Sequence, residues 1–271
     1  MAQHPNYNRT MSFFEHIDEF RIRFMRCLFV FFVGFIACYF ISEPILEILR
    51  RPLFQVLPED QRKLYFTSLF ENFLTHLKIA GYASLFLLSP YYFHQLWAFI
   101  APGLYPKERK WVFPFVAAAT FFFVGGGAFA YYILFPVGFK YFVSYGAITD
   151  VPMLTIDSYY STCLKLILLF GLSFELPVII CLLGFIGVID AAFLRKHRRG
   201  AIIGITVMAA LFAPPDAVSM LILGTPLVLL YEVSIWVVHF FDLKRPKRTS
   251  AGTTAEPTEV AASHPWEGRS R

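Results

Sequence analysis

Residues 79–106, 111–139, 200–215 and 217–231 contain no Asp, Glu, Lys or Arg. Runs of this kind constrain the fold more than any motif does. A helix needs roughly 20 apolar residues to cross the hydrocarbon core of a bilayer. In that core each backbone N–H and C=O has to be satisfied within the protein, so uncharged runs of this length fold as helices. Composition agrees: 57% of the 271 residues are hydrophobic, 16% are charged and the mean hydropathy is +0.56. Soluble domains carry about a quarter charged residues. An ordinary soluble enzyme, a secreted disulfide scaffold and a disordered protein are therefore excluded. The chain reads as an all-α, polytopic membrane protein.

The patterning places six spans, at about 25–42, 69–100, 111–135, 159–188, 200–213 and 217–240, so both termini face the same side. The first apolar run starts too far into the chain, and is followed by too many others, to be a cleaved signal peptide. Seventeen Lys and Arg flank the spans on the side of the termini, against five on the other: Arg50, Arg51, Arg62, Lys63 and Lys140. The positive-inside bias makes the termini cytoplasmic. It also accounts for the net charge of +5 without a nucleic-acid partner. Residues 1–11 read as a flexible tail, 12–241 as the membrane domain and 242–271 as a disordered cytoplasmic tail. The fifth span is short, with about 14 residues or ~21 Å against a core of ~30 Å. The four cysteines (Cys27, Cys38, Cys163, Cys181) have no metal or redox spacing and read as small buried hydrophobes. No cofactor or metal is expected.

Chemistry-bearing residues cluster at the N-terminus. Ser12-Phe13-Phe14-Glu15 is an S-x-x-E capping box that starts a helix. Phe13, Ile17, Phe20 and Phe24 form one apolar stripe, with Glu15, Asp18 and Glu19 off it. This pattern predicts a short surface helix lying on the cytoplasmic leaflet. It reads either as an interfacial anchor with Glu19 paired to Arg23, or as a docking site for a cationic partner. A second feature is Ala101-Pro102-Gly103-Leu104-Tyr105-Pro106-Lys107-Glu108-Arg109-Lys110. Its prolines and glycine predict a tight loop between Trp97 and Trp111, both suited to the membrane interface. Glu108 stands alone among bases there, and local charge balance is the plainer account of it.

These segments resemble the TatC family, the multispanning receptor subunit of the twin-arginine protein translocase. His16-Ile17-Asp18-Glu19-Phe20-Arg21-Ile22-Arg23 resembles its H-x-x-E-L-R-x-R motif, with Phe20 in place of Leu. Gln95-Leu96-Trp97-Ala98-Phe99-Ile100-Ala101-Pro102-Gly103-Leu104-Tyr105, followed by Glu108-Arg109, is similar to its first cytoplasmic loop. Ser173-Phe174-Glu175-Leu176-Pro177 and Pro214-Pro215-Asp216 match two further signatures, and the resemblance runs from about residue 12 to 241. It implies that Glu19 and Glu108 bind the consecutive arginines of the signal peptides of folded precursors, with Glu15, Phe99 and Arg21 beside them. It also implies TatA and TatB partners, self-association in the complex, transport driven by the proton gradient, and a bacterial cytoplasmic (inner) membrane.

Glu175 is the one charge in Leu166–Ile189. A charge at mid-membrane costs about 2.5–3.5 kcal/mol on insertion scales, so it faces protein or water. It reads either as hydrogen-bonded to another span or, following the resemblance, together with Gln95 as an intramembrane polar contact for a partner. Glu71 and Lys78 share a helix face and can pair. Pro214 and Asp216 form a turn in which Asp216 caps the sixth helix. A rival reading, a secondary transporter of a small solute or ion, leans on Glu71, Lys78, Glu175 and Glu232. An enzyme is not expected, because the chain carries no Walker motif, HExxH or GxSxG.

Overall fold

The computed structural model describes residues 13–100, 112–145, 153–186, 188–212 and 217–244. Among these the regular structure is helical, apart from one isolated parallel bridge between Tyr65 and Thr155. The helices are α1 (Phe13–Phe40), α2 (Ser42–Val56), α3 (Glu71–Leu87), α4 (Ser89–Ile100), α5 (Val112–Phe129), α6 (Phe135–Tyr145), α7 (Ile156–Ile186), α8 (Ala191–Lys196), α9 (Arg198–Phe212) and α10 (Ala217–Lys244). The expected N-terminal tail at 1–11, the capping Ser12 and the Pro214–Asp216 turn lie outside the described residues; of the tail expected at 242–271, the first three residues continue α10 to Lys244 and the rest lie outside them too.

Among the described residues, four segments are long and apolar enough to cross a membrane: Phe14–Phe40, Phe113–Ser144, Ile156–Gly184 and Met220–Phe240. The separate surface helix expected at the N-terminus is absent, because α1 runs unbroken from Phe13 into the apolar run. It contains no proline and one glycine, and the Glu19–Arg23 pair at i, i+4 bridges the expected break. Phe29, Phe32, Ile36 and Phe40 on α1 are all exposed. So wide an apolar surface marks a face that lipid covers.

The expected second span is broken at Leu88, between α3 and α4. Pro90 has no N–H to give to an i−4 carbonyl, and the Ser89 hydroxyl bonds Phe86 O at 2.7 Å instead. The third span is longer than expected, running through a π turn at Ala130–Leu134 into α6. Pro136 lies just beyond that turn and cannot donate to the Tyr132 carbonyl, so the ladder is already interrupted where the turn widens. Pro52 within α2 likewise frees the Ile48 carbonyl, and the Tyr131 hydroxyl replaces the lost donor at 2.8 Å. The Tyr159 hydroxyl donates to Leu49 O at 2.7 Å and the Tyr160 hydroxyl to Leu46 O at 3.3 Å, so three tyrosines from the bundle hold α2. α9, which covers the segment expected as the fifth span, has 15 residues, about 22 Å, and is short as expected.

Glycines set the closest approaches. A Cβ on Gly126 of α5 would lie 2.5 Å from Phe170 O and 2.9 Å from Gly171 Cα of α7. A Cβ on Gly171 would lie 3.0 Å from the Phe123 ring. Small residues at a membrane-helix crossing allow the backbones to touch, and dispersion contacts then replace the missing hydrophobic drive. Around α7 one core gathers Leu46, Leu49, Leu53, Ile79, Phe135 and Tyr160, and a second gathers Ala130, Phe170, Ala209, Leu223 and Leu227. All four cysteines are free, and Cys38 and Cys163 are buried.

The crossing yields a prediction. Gly126→Val should lower stability by about 1–3 kcal/mol, the usual cost of overpacking, because the atom met is backbone and cannot rotate away. Gly125→Val, whose Cβ meets nothing within 4 Å, should cost much less. Thermal unfolding in detergent compares the two.

Candidate functional site

The first turns of α1 lie against the last turn of α4. The His16 ring stacks on Phe99 with centroids 4.3 Å apart, and Phe20 meets the same ring edge-on at 5.5 Å. Beneath this aromatic contact, Arg23 binds one oxygen of Glu19, from Nε at 3.0 Å and from Nη2 at 2.5 Å. Its Nη1 reaches Gln95 Oε1 on α4 at 3.3 Å. The helix period makes this possible, since Glu19 and Arg23 are one turn apart and Gln95 faces inward from the antiparallel helix.

Both donors from Arg23 go to Glu19 Oε1. Glu19 Oε2 is buried and has no hydrogen-bond partner among the described residues. A carboxylate oxygen in that condition costs free energy until a donor arrives, and a guanidinium is the side chain best shaped to supply one. The carboxylate is thus half used. One oxygen fixes its orientation and the other has no donor.

Glu15 and Arg21 are exposed on the same stretch of α1. Arg21 also borders a shallow cleft of about 510 Å³ with Arg26, Phe29 and Tyr91. Glu108 lies outside the described residues. Its segment leaves α4 at Ile100, one residue after Phe99, and eight residues span at most about 27 Å. Trp97, expected at the membrane interface, is buried and stacks on Phe115 at 4.8 Å, within the α4–α5 contact. Trp111 lies outside the described residues.

The other acids divide by partner. Glu71 and Lys78 do not pair with each other. Glu71 Oε2 accepts from Thr67 N at 2.6 Å and Thr67 Oγ1 at 2.8 Å, and Glu71 Oε1 accepts from Asp157 N at 2.8 Å. Lys78 turns instead to Asp157 and to Ser161 Oγ, the latter at 3.0 Å. Seven residues are two helical turns, and the backbone donors at the start of α7 are nearer to Glu71 than the lysine is. Glu232 forms a two-pronged pair with Arg198, at 2.8 Å and 2.9 Å. Three of the four groups behind the transporter reading are therefore engaged in holding helices together. Glu175 differs: it is buried, and its Oε1 has no partner among the described residues. A completed bond from that oxygen to another span, the plainer expectation, is absent there. Pro177 two residues on removes a donor to the Ser173 carbonyl nearby. Among the described residues no group of three His, Cys, Asp or Glu could hold a metal ion.

The engaged pairs differ in weight. Glu71→Ala removes the acceptor for the backbone N–H groups of Thr67, Ser68 and Asp157, whereas Lys78→Met breaks a half-exposed pair worth roughly 0–1 kcal/mol. Thermal unfolding in detergent should therefore show the larger fall in midpoint for Glu71→Ala.

Comparison with known proteins agrees with this arrangement. The family described as Sec-independent protein translocase protein (TatC) matches over residues 15–226. A TatC from Magnetococcus marinus is 39% identical over 250 residues, covering 92% of this chain and 90% of that one. One from Campylobacter jejuni is 37% identical, covering 83% of this chain and 92% of its own. A crystal structure of the twin-arginine translocase receptor TatC superposes with a TM-score of 0.75 at 30% identity, covering 83% of this chain and 98% of that one. On the helical arrangement, the motifs and these matches together, the chain belongs to the TatC family.

Proposed function

We propose that this chain is the receptor subunit of a twin-arginine translocase, binding the consecutive arginines of signal peptides carried by folded precursors. The observation that carries the reading is the half-used carboxylate. Glu19 is oriented by Arg23 through one oxygen and has no partner at the other, on the turn of α1 whose His16 and Phe20 pack on Phe99, one residue before α4 ends. One arginine of the peptide takes Glu19 Oε2 and the next takes Glu108. A guanidinium offers parallel donors in a plane while an ammonium is a point charge, so Arg-Arg is preferred to Lys-Lys.

Energetics divide the work. A charge-assisted hydrogen bond with little water access contributes about 1.5–3 kcal/mol, and two of them fall short of the ~8 kcal/mol of a micromolar complex. The apolar stretch of the signal peptide supplies the remainder, at roughly 0.8 kcal/mol per buried methylene. Arginine contacts therefore set selectivity and apolar burial sets strength.

In this reading the chain crosses the membrane six times, with α3 and α4 together forming the second span and α9 the fifth. Both termini are in the cytoplasm and the membrane is a bacterial cytoplasmic one. The chain acts with TatA and TatB and self-associates, Gln95 holding Arg23 in the site and Glu175 offering a polar contact to an inserted peptide or partner helix. Pro214 and Asp216 form the turn before the sixth span. The membrane domain is 12–241, between a short N-terminal tail and a cytoplasmic C-terminal one. It works as a translocase subunit and catalyses no reaction.

Glu19→Ala and Glu108→Ala should each weaken binding of a twin-arginine peptide about tenfold or more. Unchanged photo-crosslinking of that peptide to the double variant would overturn the assignment. For Glu175, export of a twin-arginine reporter should survive Glu175→Gln, which keeps polarity and size, and be lost in Glu175→Leu.

A further inference from the structure

Three of the five Lys and Arg expected on the side away from the termini meet at one place. Arg50 and Arg62 line a polar pocket of about 280 Å³ between α2, the 57–70 connection and the starts of α3 and α7. Both also border an adjoining cleft of about 340 Å³, where Arg51 joins them.

Each of the two shared guanidinium groups is anchored by its inner nitrogen. Arg50 Nε donates to the Tyr160 hydroxyl at 3.4 Å, and that buried hydroxyl itself donates to Leu46 O at 3.3 Å. Arg62 Nε donates to Leu57 O at 3.2 Å. The outer nitrogens are less engaged. Those of Arg50 have no hydrogen bond and no carboxylate within ion-pair distance among the described residues. Arg62 Nη1 stands 3.5 Å from Glu59, whose side chain is 90% exposed, so water competes for that pair. Glu43, on the same pocket, turns to His76 instead, Oε2 to Nε2 at 3.5 Å. Asn72 lies on the wall as well, and its amide has no hydrogen bond among the described residues. Guanidinium groups fixed at Nε and open at Nη present forked donors, the shape that a phosphate oxyanion accepts.

Depth decides where the phosphate comes from. The segment Ile156–Gly184 has 29 residues, ~44 Å, against a hydrocarbon core of ~30 Å. Centred on that core, its first residue stands about 7 Å outside it, in the headgroup layer. Ile156 lines the pocket, and Glu43 lies three residues past the end of the apolar segment Phe14–Phe40. Next to Asn72, Phe73 and Leu74 are exposed on the first turn of α3. Arginines at headgroup depth with apolar surface beside them fit a phospholipid better than a soluble anion.

We propose that Arg50 and Arg62, with Asn72 as a further donor, bind the phosphate of an anionic phospholipid in the leaflet at the C-terminal end of α1. Its acyl chains lie on Phe73 and Leu74, and its headgroup ties α2 to the starts of α3 and α7. Glu19 is near the other end of α1, so the inference does not depend on the signal-peptide reading.

Native mass spectrometry of the full chain in detergent, titrated with phosphatidylglycerol, phosphatidylcholine or inorganic phosphate, tests the site. Phosphatidylglycerol should bind about tenfold more tightly than phosphatidylcholine, whose choline brings a positive charge toward the guanidinium groups. The Arg50→Gln, Arg62→Gln double variant should lose that preference. A Lys63→Gln, Lys140→Gln double variant, which removes the same charge outside the pocket, should keep it. Arg62→Gln alone, at an exposed position, should lower the preference severalfold and carries the test if the arginine double variant unfolds early. Equal binding of the two lipids would overturn the proposal. So would a preference unchanged in Arg62→Gln or in the arginine double variant, or one lost in the lysine double variant. Inorganic phosphate binding as tightly as phosphatidylglycerol would give the pocket to a soluble anion and overturn it too.

Discussion

A backbone hydrogen bond removed inside a bilayer has to be replaced by another part of the protein, since no water is present to replace it. That requirement organises this fold. Proline interrupts the helices repeatedly, and where the bundle turns or widens a side chain or an altered turn answers it. The Tyr131 hydroxyl serves the carbonyl freed by Pro52, the Ser89 hydroxyl serves the break before α4, and the ladder widens into a π turn before Pro136. The Tyr131 hydroxyl holds α2 against the π turn, the Tyr159 hydroxyl holds it against α7, and the break before α4 lets the last turn of α4 meet the first turns of α1. The functional end of the molecule is thus positioned by repairs made within and beyond the membrane.

At that end a single arginine does two things. By taking only one oxygen of Glu19 it holds the carboxylate still, and by also reaching Gln95 it ties α1 to α4. Charge already paired on both oxygens would have little left for a ligand. A wholly free carboxylate would be mobile and solvated, and selective only by sign. The intermediate state combines a fixed direction with an unmet demand, and the proposed receptor reading rests on that combination to tell a planar cation from a round one.

Much of this was legible in the sequence. Uncharged runs predicted helices, and the spacing of Glu19 and Arg23 predicted their pair. The shortness of α9 followed from Arg199 and Pro214. Other features were not legible because they depend on approach between distant segments. Glu71 and Lys78 share a helix face, yet each finds a nearer partner at the start of α7, and no spacing rule within one helix contains α7. Trp97 has the chemistry of an interfacial anchor, but Phe115 on a neighbouring helix covers it. The N-terminal stripe has the periodicity of a surface helix, and periodicity alone does not reveal that the helix continues into the span.

The sequence by itself determined the solvent, the helical class and the residue types available for recognition, because hydropathy and charge act locally and add along the chain. The tertiary structure alone decided which buried polar atoms remain unmet among the described residues: Glu19 Oε2, Tyr92 Oη and Glu175 Oε1. Whether a hydrogen-bonding group is satisfied depends on every neighbour within a few ångströms, and those neighbours come from helices far apart in the chain.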